Sequence, residues 1–389
     1  MIDNLIYFDH AATTKVSPIA AAEALELMCN CYGNPSSVHH LGLAAEAKLK
    51  KARETVAESL GSTLRECSIV FTSGGTEANN LALFGSVDTH RRKGNKILIT
   101  DAEHPSVYNT AKELAAHGYL VEYIPTVNGK LDLNAAEKMM DETVILISAM
   151  LVNNETGSVF DIASLHGLRK QLCPNAILHT DAVQGFTKVP FPLLSTGADL
   201  ISISGHKIHA PKGVGALFIK NGIRITGRAF GGGQEKSLRS GTEALPSICA
   251  FAVAAKQASE QAKANFQTVQ NLYDYLKDTL EKNCAEVKRT ESEAHSPYIA
   301  SIIIPFIRSE VMLRFLSDKG ICVSAGSACS SKHMDNRVLT SYGLNSADID
   351  STLRISFSEE NTSSEIDTLV SCLREGMDTL IPVKFFTRK

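Results

Sequence analysis

The sequence predicts an α/β fold: a mostly parallel mixed sheet between helices, with a smaller α+β part beside it. Three observations predict it. Seven short apolar runs recur between residues 68 and 219 without strict polar alternation, as expected of strands covered on both faces. Helical patterns such as "TEANNLALFGSVDTHRR" and "NAAEKMMDE" lie between several of them. A long helical pattern without internal glycine, Ala244 to about Asn283, then separates these runs from a second, shorter set.

In chain order the first set is "SIVFT" (68–72), "KILIT" (96–100), "LVEYI" (120–124), "TVILISAM" (143–150), "AILHT" (176–180), "DLISIS" (199–204) and "GALFI" (215–219). The second set is "ASIIIPF" (300–306), "ICVSA" (321–325) and "LRISF" (353–357), with a helix at about 310–319 between its first two members. This divides the chain into a large α/β domain over residues 15–250 and a small α+β domain made of 1–14 and 251–389.

Bulk composition narrows the function. The 389 residues allow two domains with real cores, and 44% hydrophobic with 21% charged residues is ordinary for a globular chain. A net charge of −3 argues against a general nucleic-acid or anionic-membrane surface, which would need a basic excess. The run "RRKGNK" (91–96) reads as a solvated helix end. No apolar run approaches the roughly 18 residues of a membrane helix. The start, "MIDNLIYFDHAATT", lacks the basic and apolar regions of a secretory signal. Nine cysteines, odd in number and without CxxC pairs, suit free thiols in a reducing cytoplasm.

Ligands of open α/β sheets collect at the carboxyl ends of strands. Here those ends carry "SGGTEANN", "DAEHPSV", "LVNNETG", "DAVQG" and "GHKIHAPKG". Each group has an ordinary alternative when taken alone: Thr76 a helix N-cap, Asp181 a turn cap, His104 a turn histidine, Lys207 a surface loop lysine. Five polar strand ends together describe a site. The Gly-Gly-Thr turn before a helix is an anion cradle, although the triphosphate pattern GxxxxGK[ST] is absent. An acid can hold a ring nitrogen protonated, a flat imidazole can stack on a ring, and a lysine with lowered pKa can attack a carbonyl. Pyridoxal 5′-phosphate requires each of these.

The motifs "YFDHAATT", "GNPSSVHHLG", "FTSGGTEANN", "AEHPSV", "VNNETG", "HTDAVQ", "SGHKIHAPKGVGAL", "LRSGTE", "SAGSACSS" and "LRISF" run collinearly along nearly the whole chain. Together they resemble the cysteine desulfurase family, IscS/NifS branch, within the class V aminotransferases and the fold-type I pyridoxal phosphate enzymes. The resemblance implies that Lys207 carries the cofactor and that His104 stacks on its ring. Asp181 would pair with the ring nitrogen and Gln184 with the ring hydroxyl. Asn154 would lie near that hydroxyl and the substrate carboxylate. Gly75, Thr76, Ser204, Gly205 and His206 would hold the phosphate. Thr242 would reach the phosphate of a neighbouring subunit, which implies a homodimer. Arg354, assisted by Asn34, would clamp the carboxylate of L-cysteine.

Cys329 would take the sulfur as a persulfide, releasing L-alanine, and pass it to an acceptor protein such as an iron–sulfur scaffold or a tRNA thiolation enzyme. A lone cysteine is ordinarily a small buried hydrophobe. Cys329 instead stands among Gly326, Ser327, Ala328, Ser330 and Ser331, with Lys332 and His333 adding positive charge that favours a thiolate. His10, Thr180, Lys236 and Ser237 depart from the family's usual residues. Two alternatives remain at this point: a selenocysteine lyase or other class V pyridoxal enzyme, and a non-enzymatic sulfur carrier or scaffold.

Overall fold

A computed structural model describes residues 5–325 and 336–380. Its main sheet contains β1 (Cys67–Thr72), β2 (Lys96–Thr100), β3 (Leu120–Ile124), β4 (Val144–Ser148), β5 (Ile177–Asp181), β6 (Leu200–Ser204) and β7 (Gly215–Lys220). Their order is β1-β7-β6-β5-β4-β2-β3, with β7 antiparallel to both neighbours and the other pairs parallel. Every residue of β2, β4, β5 and β6 is buried, which explains the unbroken apolar runs. The basic run behaves differently from expectation at its last residue. Lys96 is not solvated; it opens β2, 8% exposed, and pairs with Glu122 (3.0 Å) and Asp141 (3.2 Å).

Helices α1 (Pro18–Cys29) and α2 (His40–Ser59) pack against the long α3 (Leu245–Asn283). Ser17 caps α1, its hydroxyl accepting from Ala20 N, and proline stands in the first turns of α1 and α3.

A second core surrounds a four-stranded sheet of β8 (Lys288–Thr290), β9 (Ile299–Ile303), β10 (Ser324–Ala325) and β11 (Thr352–Ser356), ordered β8-β9-β11-β10. The run 321–325 is not the single strand expected. Ile321–Cys322 pairs in parallel with Ile6–Tyr7, whereas β10 pairs antiparallel with β11, so the run changes sheet at Val323. β8 was hidden because "KRT" carries no apolar pattern. Among the described residues no helix is long and apolar enough to cross a membrane.

The segment Tyr7–Thr14 runs between the two sheets. Ser356 N donates to Phe8 O (2.7 Å) on the small-sheet side, and Thr14 N donates to His206 O (2.8 Å) on the other. This placement puts the N-terminal turn beside the loop that carries Lys207.

Candidate active site

The carboxyl ends of β1, β2, β4, β5 and β6 open into one cavity of about 290 Å³. Gly75, Thr76, His104, Asn154, Asp181, Gln184, Ser204, His206, Lys207 and Arg354 line it. These groups come from strand ends far apart in sequence, as the switch-point rule for open α/β sheets leads one to expect.

Lys207 ends a single 3₁₀ turn, Gly205–Lys207, between antiparallel neighbours β6 and β7. The turn is braced by Gly205 N to Val214 O (3.0 Å) and Ala210 N to Gly205 O (3.1 Å). A Cβ on Gly205 would meet Val214, Ala210 and Phe251 at 3.0–3.2 Å, so a larger residue here would have to push these side chains aside. The Lys207 amine donates to Ala11 O (2.6 Å) and Ala12 O (2.7 Å) of the N-terminal turn. Its pKa is pushed down to about 7, first by burial and then by the charges of Lys188 and Arg354; Asp9 and Asp181 oppose the shift.

His104 is the N-cap of the helix Pro105–Ala116, which follows β2. His104 Nδ1 accepts from Ser106 N (3.1 Å) and lies 2.8 Å from Ser106 Oγ. An accepting Nδ1 is unprotonated, so the neutral ring carries its proton on Nε2. Burial lowers the ring's pKa and Lys207 adds to that, while Asp181 works against it. Asp181 ends β5, 5% exposed, and accepts from Val183 N (2.9 Å) and Asn79 Nδ2 (2.7 Å). Asn79 also donates to Ser106 Oγ (2.9 Å), which joins acid and imidazole in one network.

The helix Gly75–His90 points its N-terminus at the cavity. Gly74, at φ +154° and ψ −175°, occupies a region essentially restricted to glycine. Nearby, the buried Ser204 Oγ has no hydrogen-bond partner among the described residues. His206 Nδ1 lies 3.2 Å from Thr13 Oγ1, and its pKa falls to about 4, chiefly through burial.

Arg354, on β11, donates from Nη1 to Asn154 O (2.9 Å) and from Nη2 to Asp9 Oδ1 (3.0 Å). Its buried Nε has no partner among the described residues. A guanidinium has five N–H donors, so two bonds leave enough for a carboxylate fork.

Three sequence-derived residues lie elsewhere. Gly205 does not line the cavity, and its amide is committed to Val214. Asn34 is exposed and accepts from Ser36 N (2.9 Å). Thr242 is exposed outside the cavity. Cys329 and its neighbours lie outside the described residues. Sequence reasoning passed over Asp9, Asn79, Ser106 and the Ala11 and Ala12 carbonyls. Asn79, one helical turn past Gly75, had the spacing to be noticed. It also passed over Glu103, 3% exposed beside His104, whose carboxyl burial pushes up to about 8.

The aminotransferase class-V family model matches residues 6–369. The chain belongs to this family. A cysteine desulfurase of Nostoc sp. is 36% identical over 381 residues, covering 97% of this chain and 94% of its own. A solved NifS-like protein superposes with a TM-score of 0.91 at 34% identity, covering 97% of this chain and all (100%) of its own. A structure described as SspA in complex with cysteine gives a TM-score of 0.79 at 29% identity, covering 92% of this chain and 100% of its own. This class-V chain therefore has the NifS-like fold, with its polar strand ends gathered at one cavity.

Proposed function

We propose that this chain is a pyridoxal 5′-phosphate-dependent cysteine desulfurase. It converts L-cysteine to L-alanine and leaves the sulfur as a persulfide on Cys329. The observation that carries the reading is the convergence of Lys207, Asp181, His104 and Arg354 on one cavity in a chain of this family. The likeness to a relative solved with cysteine supports the substrate.

The donor set suits the cofactor. The Ser204 hydroxyl has no partner among the described residues and stands beside the Gly75–Thr76 helix start, as a phosphate site requires. Ser204, Gly75, Thr76 and His206 would hold the phosphate, Asp181 the ring nitrogen, Gln184 the ring hydroxyl and Lys207 the aldehyde carbon. His104 would lie against the ring. When bound, the cofactor supplies an electron sink for the substrate's α-carbon.

The chain's own groups do the rest. Arg354 binds the carboxylate of cysteine and fixes its orientation. The Lys207 amine, uncharged above about pH 7, takes the α-proton. His104, with its proton on Nε2, can return one. The Cys329 thiolate then attacks the substrate sulfur, so that an S–S bond forms as the C–S bond breaks. Cysteine plus thiol gives alanine plus persulfide, and the step balances without an added oxidant or reductant. A homodimer would bring Thr242 to the neighbouring phosphate, and the persulfide would pass to a sulfur-accepting protein such as an iron–sulfur scaffold or a tRNA thiolation enzyme.

The test is product analysis with L-cysteine. Alanine and persulfide should form in equal amounts, and Cys329→Ala should lose at least about 100-fold in sulfur release, as expected when a nucleophile is removed. Full sulfur release by Cys329→Ala would favour a selenocysteine lyase or another class V reaction.

A further inference from the structure

Asp9 lies 345 positions from Arg354, yet its Oδ1 accepts from Arg354 Nη2 at 3.0 Å. The same oxygen accepts from Ser324 Oγ at 2.8 Å. Ser324 is the direct cross-strand partner of Arg354 in the antiparallel pair β10–β11. The backbone around Asp9 is fixed to the arginine's own strand. Asp9 forms a parallel bridge with Ser356, Ser356 N donates to Phe8 O (2.7 Å), and Ala11 N donates to Ser356 Oγ (2.8 Å). Three segments therefore triangulate one carboxylate oxygen against one guanidinium.

The ion pair is mostly sheltered, with side-chain exposures of 11% for Arg354 and 19% for Asp9. An arginine side chain has several rotatable bonds, and ordering it on ligand binding costs affinity. Here two of its nitrogens are already held, one by Asp9 and one by the Asn154 carbonyl. Among the described residues the remaining donors, Nε included, meet no acceptor and so are left for a ligand.

We propose that Asp9 is a positioning residue that pre-orders the Arg354 guanidinium to receive the substrate carboxylate, and so sets the affinity for α-amino acids. The inference rests on the reading of Arg354 as the carboxylate clamp. Asp9 acts through Arg354 and touches neither the reacting sulfur nor the α-carbon. Its oxygen matters as an acceptor in a fixed place, so an amide oxygen at the same position should serve.

The experiment compares Asp9→Ala, Asp9→Ser, Asp9→Asn and Arg354→Ala in the holoenzyme. It measures KM and kcat for L-cysteine, together with competitive inhibition by cysteamine, which lacks the carboxylate. Asp9→Ala and Asp9→Ser should raise KM about tenfold with kcat within about threefold of the parent, the pattern of lost uniform binding. Cysteamine inhibition should not change, and Asp9→Asn should restore the parent KM. The serine variant carries the test if the alanine variant does not fold. An unchanged KM, an equal weakening of cysteamine, or an asparagine variant as impaired as alanine would overturn the proposal. Arg354→Ala separates the two readings: if it leaves KM unchanged, the clamp itself is wrong. If it raises KM while the Asp9 variants do not, only the role of Asp9 is wrong.

Discussion

Lys207 shows how much of the site is electrostatic. Its amine is held by two carbonyls of the N-terminal turn, and burial together with Lys188 and Arg354 brings its pKa to about 7. Lys188 is itself buried over the Tyr298 ring, 5.3 Å from its centre, and burial lowers its own pKa to about 8. In the cofactor-free protein, acylation of Lys207 by acetic anhydride should therefore rise through about pH 7, because the amine loses its proton there. Lys188→Met should move that midpoint upward. Peptide mapping across pH checks both, and a midpoint near the ordinary lysine value of about 10.4 would contradict them. The sign carries over to stability. Between the folded and unfolded pKa values the unfolded chain binds more protons, so this residue's contribution to stability rises with pH across that window. Position 207 was legible because a lysine between Gly205 and Pro211 is confined. A lowered pKa was an expectation of the chemistry, but its causes, burial first and then the approach of Lys188 and Arg354, arise only in the fold.

At the scale of elements, the loop after β7 is held in an unfavourable conformation by a buried ion pair. Glu235, Lys236 and Ser237 all have positive φ, at +47°, +58° and +63°. Such residues cost on the order of 1–3 kcal/mol each and persist only where their surroundings enforce them. The enforcing group is Arg53 on α2. It grips both oxygens of Glu235 at 2.6 and 2.8 Å, and Phe71 N donates to the same carboxylate at 3.1 Å. The departure at Ser237 gains a physical meaning here, since glycine would adopt its φ without strain. Arg53→Met should destabilise the protein by about 3–5 kcal/mol, because it leaves the Glu235 carboxylate buried without its partner. Guanidinium denaturation measures this, and a loss under about 1 kcal/mol would contradict it. The sequence carried no sign of this pairing across 182 positions. It did show the strands of the main sheet, because burial on both faces leaves a local apolar signature in the central ones, while the edge strand β3 was read from its β-rich composition although Leu120 is exposed. β8 and the split at Val323 escaped notice because a short edge strand and a change of partner leave none.

Over the whole molecule, the N-terminal turn ties both sheets to the site. Phe8 is fully buried (0% exposed) against Phe357 in the smaller core, while the carbonyls of Ala11 and Ala12 receive the Lys207 amine. The motif "DHAATT" suggested a resemblance but not this work, because its contacts are carbonyl groups that any residue could supply. Most of the cavity's side chains were legible as polar strand ends. The ties between them, through Asp9, Asn79 and Ser106, depend on three-dimensional proximity. If the chain is a pyridoxal phosphate enzyme, one amine in it must carry the cofactor. Borohydride reduction of the cofactor-loaded protein, followed by peptide mass spectrometry over every lysine, tests this most directly. A single added pyridoxyl phosphate mass is expected, on Lys207. That mass on another residue, or its absence from a cofactor-saturated sample, would contradict it.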